Sequence, residues 1–162
     1  MANICITGLE KLKAILLTSA NAKLAEIAGR DRTYWKPLED KSVRLENVPA
    51  DLADQNRSTV YPAVYLYSGR IENQLRHKFQ GMSGPVRFVA EVRCSGDRYE
   101  ELERELASYV EAVTAALAGN TGEWGEHLVY NGAYTVKFEA VKTGGKNFIQ
   151  SAKIELDVEA CG

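Results

Sequence analysis

Cys94, the histidines His77 and His127, and a run of glutamates are the residues whose types could do chemistry. Cys94 sits in R-C-S-G at a strand end, where a thiolate with a distant histidine would make a nucleophile. In the same place a cysteine also serves as a small inward-facing hydrophobe, and that is the reading adopted. His77 and His127 are fifty residues apart, and neither has a Cys or second His at metal-ligand spacing, so no zinc site is expected. TGGK at Thr143 to Lys146 has the glycines and lysine of a phosphate loop, but the spacing fails. Ala140 stands where the first glycine belongs, and Asn147 where Ser or Thr would meet magnesium. A hairpin turn accounts for it. Glu100, Glu101, Glu103 and Glu105 read as a solvated helix surface rather than a general acid/base pair. Glu123 and Glu126 flank Trp124 in a glycine-punctuated loop, either a sugar site or a loop anchored by its tryptophan; the anchor is preferred. No catalytic constellation, metal or cofactor is expected.

The stretch VYPAVYLYSG, residues 60–69, places Tyr61, Tyr65 and Tyr67 in a run bounded by Pro62 and Gly69. A single-strand nucleic-acid platform needs aromatics interleaved with Lys or Arg on one face, and this run carries no charge before Arg70. Val64 and Leu66 point one way, and Ala63, Tyr65 and Tyr67 the other. The tyrosines therefore read as packing on both faces of a strand, with hydroxyls reaching the sheet edge or a neighbouring subunit.

The elements that must position these residues follow from periodicity. Thr7 and Glu10 form a T-x-x-E capping box. Leu9, Leu12, Leu16, Ala20, Leu24 and Ile27 then recur at helical spacing up to Gly29, with a break expected near Ser19-Ala20-Asn21. Residues 30–59 carry two prolines, many charges and weak periodicity; they read as an irregular arm, anchored by Tyr34 and Trp35, on its own or a neighbouring subunit. Ser42 to Val48 is a candidate short strand. Residues 70–85 read as a long loop or weak helix. Val86 to Ser95 alternates cleanly as a strand. Asp97 and Glu100 then open an amphipathic helix that Gly119 closes. Two further strands, around Tyr134–Ala140 and Gln150–Val158, are joined through KTGGKN. The expected class is α+β: a mainly antiparallel sheet of about four to five strands with two helices packed on one face, in a single domain spanning 1–162.

Length and composition agree. At 162 residues, with 45% hydrophobic and 26% charged side chains, the chain can build one core. Its longest apolar run is only a few residues, so no membrane span is expected. The N-terminus reads as a capped helix rather than a signal peptide. The odd cysteine count, with Cys5, Cys94 and Cys161 widely spaced, points to reduced thiols, so the Asn56-Arg57-Ser58 sequon carries no weight. A net charge of −2 gives no reason to expect nucleic-acid affinity. Its distribution is uneven: Arg70 to Arg93 holds five Lys/Arg against two Asp/Glu, and Asp97 to Glu126 two against eight. Opposite patches of this kind would steer association between copies; a solvated helix beside a basic loop explains them equally.

The order of helix, irregular arm, Y-P-A-V-Y-L-Y-S-G, charged loop, V-R-F-V-A-E-V-R-C-S-G, acidic helix and closing hairpin resembles the tail terminator proteins of tailed bacteriophages. The resemblance covers roughly Val60 to Val158. Its most specific parts are Tyr61 to Val64 and the strand-to-helix passage from Val86 to Leu117; the arm at 30–59 falls outside it. It implies a structural role and no enzymatic one: a ring, usually a hexamer, at the head-proximal end of the tail tube that halts tube polymerisation and joins the neck. The implied partners are further copies of the chain, the tail tube protein, neck or connector proteins, and DNA that passes through the lumen without sequence-specific binding. The implied place is the virion, with the host cytoplasm during assembly. Arg70, Arg76, Lys78, Lys142 and Lys146 are the candidate partner or lumen contacts. The rival readings are another head–tail connector or stopper, a cytosolic ligand-binding domain, and a small cysteine-dependent enzyme.

Overall fold

The computed structural model describes residues 3–55, 59–75 and 81–162. The first helix starts earlier than the T-x-x-E motif suggests. The Asn3 side chain accepts from the Cys5 and Ile6 amides at 3.1 and 3.4 Å, so residues 4–7 are already helical when Thr7 is reached. Helix α1 (Ile4–Ile15) passes through a single π turn at Leu16–Ala20 into α2 (Asn21–Asp31). The expected break is thus a wide turn in one continuous helix. Thr18 Oγ donates back to the Ala14 carbonyl at 2.7 Å within it. The helix also runs past Gly29 and ends where Arg32 turns left-handed at φ 52°.

The arm is more structured than its composition suggested. It holds a 3-10 turn at Asp40–Ser42, strand β1 (Val43–Arg44) and helix α3 (Ala50–Gln55). The strand expected over 42–48 shrinks to two residues. After the arm come β2 (Ala63–Ile71), β3 (Ser83–Gly96), α4 (Tyr99–Ala118), β4 (Gly122–Gly125), β5 (Leu128–Phe138), β6 (Lys142–Thr143) and β7 (Phe148–Cys161). Asp97 does not cap α4, which begins after an extended Arg98 with no side-chain cap. Trp124, expected in a loop, lies on a strand.

The sheet has seven strands in the order β1-β2-β3-β7-β5-β4, with β6 on β7, rather than four to five. It is mixed: β1 runs parallel to β2, while the other pairs are antiparallel. The extra strands are pieces of two to four residues, too short to show a period of two. Two long helical units, α1–α2 and α4, cover one face as expected, and α3 is a third helix on the arm. Between the helices and the sheet lies a core that includes Leu12, Leu16, Leu66, Phe88, Val92, Leu106, Val113, Ile154 and Leu156, all 1% exposed or less.

Gly8 shows how tightly the layers meet. A Cβ added there would stand 2.2 Å from Phe88 Cζ. Overpacking costs about 1–3 kcal/mol, against about 1 kcal/mol gained from alanine's helix propensity. Gly8→Ala is therefore expected to lower stability by up to roughly 2 kcal/mol, read as a lower urea midpoint at unchanged slope; a higher midpoint would contradict this packing.

Candidate functional site

The face of the sheet turned away from the two long helices carries the charged and tyrosine side chains. At its centre is Arg93, the largest fully buried side chain, 1% exposed. It donates Nε–H to Glu91 at 3.2 Å and Nη2–H to the Val48 carbonyl of the arm. Its guanidinium lies 4.1 Å from the centre of the Tyr65 ring. Nη1 is buried with no hydrogen-bond partner. Tyr67 donates its hydroxyl to the other Glu91 oxygen at 3.2 Å, and Tyr61 donates to Asp54 at 3.0 Å. Burial first, then the neighbouring carboxylates, raise both phenols, Tyr67 to about 12 and Tyr61 further. Both remain donors at neutral pH. The three tyrosines share this one face rather than covering both, with Val64 and Leu66 on the other, and the Tyr61 and Tyr67 hydroxyls find partners within the chain.

This arrangement holds the arm. Asn21 takes the Leu38 amide on its side-chain oxygen and donates to the Leu38 carbonyl, both at 2.8 Å. Tyr109 donates to the Lys36 carbonyl at 2.6 Å, and Trp35 packs edge-on against the Tyr109 ring. Beyond Val48, α3 carries Asp54, which accepts from the Gly145 amide at the hairpin tip. The arm is thus strapped across its own sheet. Of the two expected anchors, Trp35 packs against the core, whereas Tyr34 is 80% exposed. Asp54→Ala should free the hairpin tip and α3 together, at a cost of about 1–3 kcal/mol for the unmet partners. Amide exchange confined to residues 50–55 and 144–147 would report it; unchanged exchange there would show the strap is held otherwise.

The candidate contact residues do not converge on one point. Arg70 closes β2 on the exposed rim and pairs with Glu72 at 3.6 Å. Lys142 lines a cavity of ≈ 440 Å³ together with Val48, Tyr67, Glu91, Arg93 and Lys153. Lys146 lies at the hairpin turn, in a second hollow with Asp54 and Tyr61. Arg76 and Lys78 lie outside the described residues, as do His77 and the 56–58 sequon. Arg93 was missed as a site residue. The signal was present: Glu91 and Arg93 are two apart on one strand face, opposite a tyrosine-rich strand. On a sheet face that spacing brings the two side chains together.

The remaining candidates are packed into the fold. Cys94 is fully buried, and burial followed by Glu105 pushes its thiol far up, the reverse of what a nucleophile needs. Trp124 is 5% exposed, donates to the Asn120 carbonyl at 2.8 Å and packs on Tyr130, which leaves no ring face for a sugar. Glu105, expected to be solvated, is half-buried, and its carboxyl is raised by that burial and by Glu101. Among the described residues no cluster of three His, Cys, Asp or Glu is placed to hold a metal, and no helix is long and apolar enough to cross a membrane. No protein-family model matches this chain, and no curated protein matches it.

Proposed function

We propose that this chain is a structural assembly protein of the tail-terminator type. It forms a ring at the head-proximal end of a phage tail tube, stops tube growth and joins the tail to the neck, and DNA passes through without sequence-specific binding. One observation carries the reading. Helices cover one face of the sheet and the chain's own arm straps part of the other, yet among the described residues the short end strands leave much of both sheet edges unpaired. Such a subunit is built to meet copies of itself, because open strand edges are otherwise a hazard that folds suppress. The order from β2 through β3 and α4 to the closing hairpin is the order on which the resemblance rests. In this role the protein works in the virion and assembles in the host cytoplasm. A connector or stopper protein would share the architecture and differ in its partner.

The test is to mix purified protein with tail tubes and image the ends, with light scattering of the free protein alongside. Caps on tube ends support the reading; bare, still-growing ends reject it. Lys142→Glu with Lys146→Glu is expected to leave the fold intact and reduce capped ends at least tenfold, because both lysines flank the exposed hairpin. Normal capping would remove these residues from the contact.

A ligand-binding domain is the second reading. Its supporting observation is an apolar cavity of ≈ 500 Å³ at one end of the sheet, bounded by Ile4, Cys5, Ile71, Met82, His127 and Cys161.

A further inference from the structure

Unanswered positive charge gathers in the cavity beneath the arm. This hollow of ≈ 440 Å³ lies between residues 47–50 of the arm and the open face of the sheet, where Tyr67, Glu91, Arg93, Ser151 and Lys153 line it, with Lys142 from β6 beside them. The ladder sets Lys153 between Glu91 on β3 and Lys137 on β5, all on that face. Both Glu91 oxygens already accept, one from Arg93 and one from Tyr67. Among the described residues Lys137, Lys142 and Lys153 stand in no ion pair. Like charges directly opposite one another across a ladder are destabilising, so folding alone does not account for the Lys137–Lys153 pair. Arg93 is the independent feature. It is 1% exposed, yet its Nη1 has no hydrogen-bond partner. An unmet donor on a buried charge is costly. Two carboxylates share the lining: Glu91, already engaged, and Glu139, which is in no ion pair and would oppose an anion.

We propose that this cavity binds the phosphate group of a small phosphate monoester, held by Lys142 and Lys153 with Arg93 behind them. The inference does not depend on the assembly reading. A phosphate monoester brings close to two negative charges and three strong acceptor oxygens, which matches two unpaired lysines and an arginine with an unmet N–H better than the single charge of a carboxylate does. Lysine meets phosphate as a point charge, whereas arginine adds directed donors. The ligand would lie beside Lys153, where it also offsets the repulsion from Lys137. The cavity falls within the range of about 300–1,000 Å³ usual for small-molecule sites. Its walls are already in place, because Arg93 holds the Val48 carbonyl and so fixes the arm over the sheet. A recess between arm and sheet suits a small molecule rather than the rod of a nucleic-acid duplex.

The test titrates the full-length chain with inorganic phosphate and with glycerol phosphate by calorimetry, with chloride at matched ionic strength as the blank. Saturable one-to-one binding is expected. Lys142→Met and Lys153→Met should each weaken it about tenfold, and Glu139→Gln should tighten it by removing a nearby like charge. Arg93→Met with Glu91→Gln keeps the net charge and removes the unmet donor. It should bind about tenfold more weakly with circular dichroism unchanged; folded protein with undiminished affinity would overturn the role of Arg93. The absence of saturable binding, or an equal response to chloride, would overturn the whole proposal. So would undiminished affinity in both lysine variants, or an equal loss in Lys146→Met, which lies on the hairpin outside this cavity. Tighter binding of a DNA duplex than of glycerol phosphate, at equal phosphate concentration, would assign the charge to nucleic acid and overturn it too. Lys153 is not among the residues expected to contact the tube. Lys153→Met should therefore cap tubes normally while losing phosphate; loss of both together would make the lysine an assembly contact and overturn the ligand site.

Discussion

Arg93→Ala is expected to lower stability by about 3–5 kcal/mol, because it leaves one member of a buried pair without its counter-charge. Glu91, 7% exposed, would keep only the Tyr67 hydroxyl, and the Val48 carbonyl would lose its donor. The Tyr65 ring would also lose the guanidinium stacked on it. The loss should be local as well as global. Val48 belongs to the arm, so amide protection over 43–55 is expected to fall before that of β3 and β7. Replacing both charges, Arg93→Met with Glu91→Gln, should cost markedly less than the single change, because no bare charge stays buried. Urea unfolding of the three proteins checks this. If Arg93→Ala shifted the midpoint no more than a surface substitution, the guanidinium would not be the clasp of the arm.

Gly84→Ala is the second large effect. Gly84 sits at φ +149°, and an added Cβ would stand 2.1 Å from the Glu72 carbonyl oxygen. That backbone conformation is nearly closed to other residues and costs about 1–3 kcal/mol when forced. The clash adds to it, since a carbonyl held in a ladder cannot rotate away. Residues 72–74 run beside 83–85, joined by the Glu72 amide to the Pro85 carbonyl at 3.0 Å and the Gln74 amide to the Ser83 carbonyl at 2.7 Å. The expected result is a loss of about 3 kcal/mol or more, with the outer end of the β2–β3 hairpin opening. Thermal unfolding gives the magnitude, and exchange at 70–74 and 83–86 gives the place. Wild-type stability would show that this hairpin end does not pack as described.

Glu111 and Arg30 illustrate a contact of smaller weight. The pair is bidentate at 2.7 and 3.1 Å and joins α2 to α4, lowering the Glu111 carboxyl. Both side chains are about half exposed, and solvent screens such pairs. Buried Arg93, not the surface pairs, is where charge decides this fold.

What the sequence determined by itself was everything written in periodicity. The alternation from Val86 to Ser95 marked β3, and the three-and-four spacing from Leu102 to Leu117 marked α4. The spacing of Leu12, Leu16, Ala20 and Leu24 marked the first helix, and its break was expected where the π turn lies. These patterns are legible because a buried face imposes its period directly on the residue string. Val64 and Leu66 against Tyr65 and Tyr67 likewise announced a strand covered on both sides.

Tertiary structure alone decided the rest. β1, β4 and β6 have two to four residues each, and their partners, not their composition, make them strands. The arm looked irregular because the contacts that order it are long-range: Asn21 to Leu38, Arg93 to Val48 and Asp54 to Gly145 join residues 17, 45 and 91 positions apart. Arg93 read as one more outward charge on an alternating strand. It became the centre of the sheet's open face only when β2 laid Tyr65 beneath it and the arm brought a carbonyl to it. The stagger of the two edges is written in no single strand. It arises because β1 caps one end of β2 and β4 the opposite end of β5, a relation that exists only once all the strands are paired.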